Sequence, residues 1–433
     1  MKETMTTFMP TVNTPAELRD LQLKGLQWTV DHAYQGSILY RKKMDKAHVK
    51  PQDIRSLDDL QRLPFTTADD LKEGYPFPLL CVPLNKVVRI HASSGTTGKR
   101  KVLCYTQKDI NDWANMFARC YEMAGLTQED RVQIAVGYGL WTAGVGFQLG
   151  CERFGAMAIP VGPGNRDMHC EIMVDLQSTV FCCTASMGLL MAEEIQRRGL
   201  GHQIALRKMI FGAERHSETM RKTTEASFGI EESFDIPGLT ELYGPGTGLE
   251  CQRHEGIHYW ADYYILEVIN PETLEPLPAG ETGEMVVTTL CKEAVPLIRY
   301  RTRDLTHLKS ERCSCGNVLP MHGSLLGRTD DMFIIRGVNI YPGQIDDLLS
   351  QELRVGSEYQ VVLRRASGKD YMTIRLERGE STDASEDEAI TAMLEDAIRR
   401  HLLVRGKVEL VDYGTLPRTE RKSKRLFDER NNA

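Results

Sequence analysis

Short apolar strands alternating with helical stretches from Val87 to Phe228 predict an α/β protein built on layered sheets. Two further observations complete the fold class. Residues 263–310 turn strand-rich, which adds a small β unit, and the ~100 residues after Asp330 hold enough strands and helices for a small separate α+β domain. The 433-residue chain is therefore read as a large N-terminal domain, 1–329, followed by a C-terminal domain, 330–433.

The elements follow in chain order. Ala16–Tyr34 places Leu23, Leu26 and Val30 at helical spacing, the first 75 residues read as helices, and Pro51, Pro64 and Pro76 punctuate them. The pattern then predicts a strand at Val87–His91 running into a Ser/Gly/Thr loop. Val132–Gly137 precedes a helical Val145–Phe154, and Ala156–Val161 is the next expected strand. Val180–Thr184 leads to Met187–Arg198, and Lys208–Gly212 to Ser217–Phe228. In the β unit, strands are expected at Tyr263–Ile269, Glu284–Leu290 and Leu305–Leu308. Beyond Asp330 come expected strands at Met332–Arg336, Tyr359–Arg364 and Met372–Glu377, with helices near Pro342–Leu353 and Glu386–Arg399.

With 41% hydrophobic and 26% charged residues and no long low-complexity tract, general disorder is excluded. No run reaches the ~18 apolar residues of a membrane span, and Met1–Pro10 lacks the zones of a signal peptide. A net charge of −7 gives no pull toward nucleic acid or an anionic membrane. The expected setting is cytoplasmic. The eleven cysteines are an odd number without a secretion signal, which argues against a disulfide framework. Nine of the eleven, among them Cys104, Cys120, Cys151, Cys182 and Cys183, lie scattered in regular segments or at their ends, and most of them read as small buried hydrophobes. Cys313 and Cys315 fall in a polar Cys-Ser-Cys-Gly loop where neither is expected to pack.

The segment His-Ala-Ser-Ser-Gly-Thr-Thr-Gly-Lys-Arg at 91–100 is the most informative. Glycines let backbone amides face an anion, while hydroxyls and an ammonium add hydrogen bonds and charge. It is not a Walker A loop, because only two residues separate Gly95 from Gly98 and Arg100 follows Lys99.

Ser93–Lys99 resembles the nucleotide loop of adenylate-forming enzymes, the superfamily of acyl-CoA synthetases, adenylation domains and luciferases. The chain as a whole is similar to the phenylacetate–CoA ligases and their aryl-CoA ligase relatives. The resemblance is carried by Leu63–Thr67, Tyr75–Phe77, Gly137–Thr142, Gly212–Glu214, Gly244–Gly246, Pro296–Asp304, Gly327–Asp331, Arg336–Asn339 and Leu416–Arg418. It runs from about residue 15 to about residue 428, and the order and spacing of these stretches make it specific.

The resemblance implies that Ser93, Ser94, Gly95, Thr96, Thr97, Gly98 and Lys99 wrap the phosphates of ATP. It places Ala213, Glu214, Pro237 and Thr240 at the nucleotide, makes Asp304 the acceptor for the ribose hydroxyls and Arg328 a second contact. A carboxylate suits a vicinal diol. Glu241 matches the glutamate associated with Mg2+, an ion commonly held by one carboxylate and substrate oxygens. Pro237 stands where the family carries a tyrosine against the adenine, which weakens that stacking. Tyr138, Trp141, Thr142 and Ala143, with Ala213 and Gly238 opposite, are implied to line a flat slot for an aryl ring.

In the same way the resemblance implies a mobile C-terminal domain that turns about Asp330, with Arg336 and Gly337 lining the tunnel for the CoA thiol. The basic run Leu416–Arg425 aligns Lys422 with the family's adenylation lysine; Arg421 replaces a glycine there, and Lys424 is a neighbouring rival. The implied reaction is ATP-dependent ligation of a phenylacetate- or benzoate-like acid to CoA, through an acyl-adenylate, with Lys422 and Glu241 as the catalytic pair. Transfer to a carrier-protein thiol or an amine is the alternative, and a relative that only binds nucleotide is a third reading. The partners are small molecules, without nucleic acid or membrane; a homodimer is compatible with all of this.

Cys251, Cys313 and Cys315 with one of His254 or His258 supply three thiolates and an imidazole, a donor set for structural Zn2+. The Cys-x-Cys spacing is tighter than usual, and the resemblance favours His258.

Overall fold

Thr14 opens the first helix: its side chain accepts the Glu17 amide, and Pro15 sits in the first turn, where a missing N–H costs nothing. This computed structural model describes residues 7–93, 100–140, 142–214, 216, 218–230, 232–349, 351–352, 354–366, 368–379, 382–417 and 425–430. They divide into two compact units, Met1–Ala213 with Glu225–Leu325 and Glu214–Thr224 with Leu326–Ala433.

In the first unit, α1 (Pro15–Gly36) and α2 (Ile38–Lys46) are followed by short 3-10 turns, not by further helices. Prolines interrupt this stretch, and tertiary contacts hold what is left. The Tyr40 hydroxyl donates to Pro296 O (2.9 Å), Thr66 Oγ1 to Ile298 O (2.6 Å), and Arg299 to Gln61 O (3.0 Å) and Leu63 O (3.3 Å).

Next come β1 (Arg89–Ala92), β2 (Val102–Tyr105), α3 (Gln107–Met123), β3 (Arg131–Ile134), α4 (Ala143–Phe154), β4 (Met157–Ile159) and α5 (Arg166–Asp175). They are followed by β5 (Val180–Thr184), α6 (Ala185–Arg198), β6 (Lys208–Gly212), α7 (Glu218–Phe228, grouped with the second unit as far as Thr224) and β7 (Glu232–Ile236). The expected strand–helix alternation is present. Strands β3 to β7 form a parallel sheet in the order β4-β3-β5-β6-β7. Its central strands are buried along their length, as the near-continuous apolar runs at Val180–Cys183 and Met209–Phe211 require.

The chain then turns antiparallel through β8 (Gly238–Leu239), β9 (Gly244–Pro245), β10 (Gly248–Glu250), β11 (Ile257–Tyr259), β12 (Tyr264–Ile269), β13 (Gly283–Thr289), β14 (Tyr300–Thr306) and β15 (Met321–His322). Strand β14 begins at Tyr300, ahead of the expected Leu305, and pairs with β13. Its arginines hid it: Arg301 and Arg303 enter a strand because both reach the fully buried Glu284.

The second unit contains β16 (Gly327–Arg328), β17 (Phe333–Ile335), β18 (Val338–Ile340), α8 (Pro342–Leu349), β19 (Val355–Ala366), β20 (Lys369–Arg378), α9 (Asp387–Leu402), β21 (Gly406–Val411) and β22 (Leu426–Asp428). Its sheet has the order β21-β20-β19-β22 over a core of its own that includes Ile345, Ile374, Ile390 and Ile398. Strands β21 and β22 were not expected. Both join through parallel pairing, which leaves no local turn signal.

Helices α3 and α4 pack closely because α4 carries glycines on the shared face. A Cβ on Gly150 would lie 2.1 Å from Phe117 Cβ, and one on Gly146 2.4 Å from Trp113 Cζ2. Gly150→Ala is therefore expected to destabilise the protein by ~1–2 kcal/mol, overpacking outweighing the gain in helix propensity. An unfolding midpoint in urea equal to or above wild type would show that the two helices can separate at no cost.

Candidate active site

The parallel sheet presents three connecting segments at the carboxyl ends of its strands: Gly137–Ala143 after β3, Ala213 after β6 and Pro237–Glu241 after β7. β3 lies between β4 and β5, so the direction of winding reverses there, and open α/β sheets bind ligands in the crevice at such a reversal. The Gly/Ser/Thr loop enters from a different element. β1 and β2 are antiparallel, Ala92 faces Val102, and Ser93 N donates to Lys101 O at 3.1 Å, so the loop leaves one strand and returns on its neighbour. Ala92 N donates to Leu140 O (3.0 Å), which ties this ribbon to the segment after β3. Ser93 Oγ is buried with no hydrogen-bond partner among the described residues. Ser94, Gly95, Thr96, Thr97, Gly98, Lys99, Trp141 and Lys422 lie outside the described residues.

Pro237–Gly246 forms a hairpin. A Cβ on Gly238 would stand 2.3 Å from Gly244 O and Pro245 Cα, so β8 approaches β9 more closely than any side chain permits. Thr142 packs on this hairpin, with its Oγ1 2.9 Å from where a Gly244 Cβ would be. Thr240 and Glu241 occupy the turn. The Glu241 carboxylate is 7% exposed; it is ion-paired with Lys101 and accepts the Tyr300 hydroxyl at 2.9 Å. Burial works to raise its pKa, but the charge and hydrogen bond of Lys101, helped by Tyr300, hold it below the usual carboxylate value. Lys101 was not singled out from the sequence. The signal available was its place in the basic run that closes the loop, Lys99 to Lys101.

A cleft in the same unit is lined by Pro237, Gly238, Leu239, Asp304, His322 and Leu325, so two of the segments expected at a nucleotide meet. The arginines around Asp304 are engaged with other carboxylates: Arg299 pairs with Glu267 (3.0 Å), and Arg301 with Glu284 (2.6 Å). Tyr138 is half-buried, its ring 2.6 Å from where a Gly144 Cβ would sit; burial pushes its hydroxyl up to about 12. Thr142 and Ala143 are buried at the start of α4, and Ala213 adopts a left-handed conformation (φ +67°) just past β6. Glu214 is half-buried and is grouped with the second unit.

Within the second unit, Arg328 clamps Asp330 through two hydrogen bonds of 2.8 and 3.0 Å. Arg336 and Gly337 (φ +50° and +85°) form the two-residue turn between β17 and β18. Both central residues at positive φ give the turn whose twist suits a tight hairpin. The Arg336 guanidinium lies over the Tyr371 ring, 5.8 Å from its centroid.

The ligand atoms of Cys251, His258, Cys313 and Cys315 lie within 4.8 Å of one another. Cys251 Sγ is 3.4 Å from Cys313 Sγ, and Cys315 Sγ is 3.4 Å from His258 Nε2. Donors ~2.1–2.3 Å from a tetrahedral zinc stand about 3.4–3.8 Å apart, so the spacing fits. His258 Nδ1 donates to Leu319 O (3.0 Å), which leaves Nε2 with its lone pair free, and Glu255 holds the Cys313–Cys315 loop through Ser314 (2.7 and 2.8 Å). His254 faces Glu250 (3.2 Å), which decides between the two histidines. One expectation is corrected: Cys313 is buried, because its loop folds over Cys251 and Met321.

Residues 29–291 match the AMP-binding enzyme family, and residues 337–430 match the AMP-binding enzyme C-terminal domain. The phenylacetate–coenzyme A ligase of Escherichia coli (strain K12) is 40% identical over 421 residues, 96% of this chain and 95% of that protein. That of Thermus thermophilus is 39% identical over 441 residues, 97% and 99% of the two chains. Among solved structures, 2-hydroxyisobutyryl-CoA ligase in the postadenylation state in complex with 2-HIB-AMP is similar at a TM-score of 0.90 and 28% identity, covering 97% of this chain and 91% of that one. A benzoate CoA ligase from Burkholderia xenovorans LB400 shares the fold, at a TM-score of 0.60 and 17% identity over 78% and 67% of the two chains.

The Lys101–Glu241 pair should be visible in stability. Lys101→Met leaves a buried carboxylate without its cation and is expected to cost roughly 2–3 kcal/mol at pH 7. Because the wild-type carboxyl is held low, its contribution is present above the unfolded carboxyl range and is lost as pH falls through the folded value. The difference between variant and wild type should therefore shrink as the pH falls through the lowered wild-type value, below which both carboxyls are protonated. Urea titrations across this pH range measure this; a gap independent of pH would remove the pair as its cause.

Proposed function

The chain belongs to the phenylacetate–coenzyme A ligase family of AMP-binding enzymes, and we propose that it joins an aryl acid to coenzyme A through an acyl-adenylate. It is an AMP-forming acid–CoA ligase with ATP and CoA as co-substrates. The observation that carries the assignment of the site is the meeting of Pro237, Gly238 and Asp304 in one cleft, next to the hairpin turn that bears Glu241. In this reading Asp304 accepts the ribose hydroxyls, Pro237 and Ala213 flank the nucleotide, and Arg328 and Glu214 are further contacts. Ser93–Lys99 wraps the phosphates; the buried Ser93 Oγ, without a hydrogen-bond partner among the described residues, supports a phosphate partner at the loop's entrance. Tyr138, Trp141, Thr142, Ala143 and Gly238 form the slot for the aryl ring.

The chemistry follows from charge. The acid carboxylate attacks the α-phosphorus of ATP, so two anions meet and positive groups must neutralise what accumulates. Lys422 and Lys99 do so from the protein. Mg2+, held by Glu241 together with the phosphates, supplies further positive charge. The CoA thiol then attacks the acyl carbon and AMP departs. Rotation of the C-terminal domain, 330–433, about Asp330 exchanges Lys422 for Arg336 and Gly337 at the reaction centre between the steps. The protein acts in the cytoplasm.

Acid-dependent exchange of labelled diphosphate into ATP, run across phenylacetate, benzoate and their substituted forms, tests the first half-reaction; release of free acyl-CoA tests the second. Exchange without acyl-CoA would favour a carrier-protein or amine acceptor, and no exchange with any acid would reduce the protein to a nucleotide binder. Lys422→Ala is expected to lower exchange by ~10²–10³ while thioester formation from supplied acyl-AMP survives. Equal loss in both would remove Lys422 from its role.

We also propose that Cys251, His258, Cys313 and Cys315 hold one structural zinc ion, with four protein ligands and no open position for chemistry. Elemental analysis of protein purified under reducing conditions should find about one zinc per chain. Cys315→Ser should lose it and lower the melting temperature. Metal-free protein with wild-type stability would end the proposal.

A further inference from the structure

Lys292 is buried with no exposed surface, and among the described residues no carboxylate lies within ion-pair distance of it. An ammonium in such a place is costly unless other groups replace its water. Here two backbone carbonyls and two aromatic faces do so. Nζ donates to Glu241 O (3.0 Å) and Leu242 O (2.5 Å), and it lies 4.7 and 5.0 Å from the ring centroids of Tyr105 and Tyr243. The Tyr105 hydroxyl lies 3.1 Å from Thr240 O and 3.2 Å from Tyr243 O. Two side chains thus engage all four consecutive carbonyls of the turn that bears Glu241.

Lys292 is itself fixed. The Asp109 carboxylate accepts the next two amides, Glu293 N (2.7 Å) and Ala294 N (3.0 Å), and also Thr106 N (3.0 Å) at the start of α3. A chain of contacts therefore runs from the α3 N-terminus through 292–294 to the turn at 240–243.

We infer that Lys292, with Tyr105, is a positioning residue for Mg2+ capture: it locks the peptide planes under Glu241, so that the carboxylate keeps one fixed place when the ion, arriving with the phosphates, competes with Lys101 for it. The inference rests on the reading of Glu241 as the Mg2+ carboxylate. Such an arrangement gives a selective phenotype. With the turn unlocked, Glu241 spends less time in the binding geometry, so metal affinity falls, whereas the thioester-forming step, which does not use Glu241, is left alone.

The test is the Mg2+ dependence of ATP binding, measured by calorimetry without acid, and of acid-dependent diphosphate exchange, in Lys292→Met and in Tyr105→Phe, the milder change that keeps the ring. Lys292→Met is expected to raise the half-saturating Mg2+ concentration by ~10-fold, the usual scale for losing a group that orients a metal ligand, and Tyr105→Phe by less. The rate of thioester formation from supplied acyl-AMP should stay within about twofold of wild type. An unmoved Mg2+ curve in folded Lys292→Met, or in Tyr105→Phe where the first variant does not fold, overturns the inference. So does a proportional loss of both half-reactions, which marks a merely structural lysine. If wild-type exchange runs without Mg2+, the reading of Glu241 itself fails, and this inference with it.

Discussion

A carboxylate taken out of water must be given charge and hydrogen bonds in return, and the burial of Glu241 sets that requirement for the centre of the large unit. Its neighbours come from distant parts of the chain. Lys101 arrives just ahead of β2, Tyr300 at the start of β14, and Lys292 with Tyr105 grips the turn from below. Lys292 lacks a carboxylate partner at contact distance, and its pKa falls to about 8 under burial, against the opposing pull of Asp109 and Glu241. The hairpin carbonyls are its replacement for water, so the turn and the lysine stabilise each other.

Residues 291–300 transmit this arrangement outward. Lys108 donates to Cys291 O, Asp109 accepts the amides of Glu293 and Ala294, and His32 donates to Glu293 O. Tyr40, Thr66 and Arg299 then bind the N-terminal segment to the same stretch. This explains why a proline-broken sequence with little helix of its own is ordered after α2. It serves as a cover whose side chains bind the backbone carbonyls of one connecting segment, and the site rests on that segment.

The Cys251–Cys315 cluster solves a different problem. The three-stranded sheet β10-β11-β15 is short, and the described core near it is small, with Cys251, Cys313 and Met321 its buried members. Short sheets bury too little apolar surface to hold their loops, and four metal-compatible donors at one end offer a cross-link that packing cannot. In the second unit the opposite balance holds: its sheet and the helices α8 and α9 share a full apolar core, and no such staple is needed.

The alternation of apolar runs at Val132, Val180 and Lys208 with helical spacing was sufficient for the parallel sheet, because strands buried on both faces and the helices between them leave strong local patterns. The family was legible too, since Ser93–Lys99, Pro296–Asp304 and Gly327–Asp331 are contiguous and their spacing survives in one dimension. From the sequence the four members of the Cys/His cluster could be named, the resemblance favouring His258 over His254, and in the fold His254 turns toward Glu250. What the sequence could not show were groups whose meaning lies in pairing across the chain. β14 looked too charged to be a strand until Glu284 took up its arginines. β22 was hidden in a basic tail, and Lys101 and Lys292 were two lysines among many. A charge is assigned a role by what lies within a few ångströms of it, and for these residues those neighbours are about fifty or more positions away or on another strand, brought together only when the chain has folded.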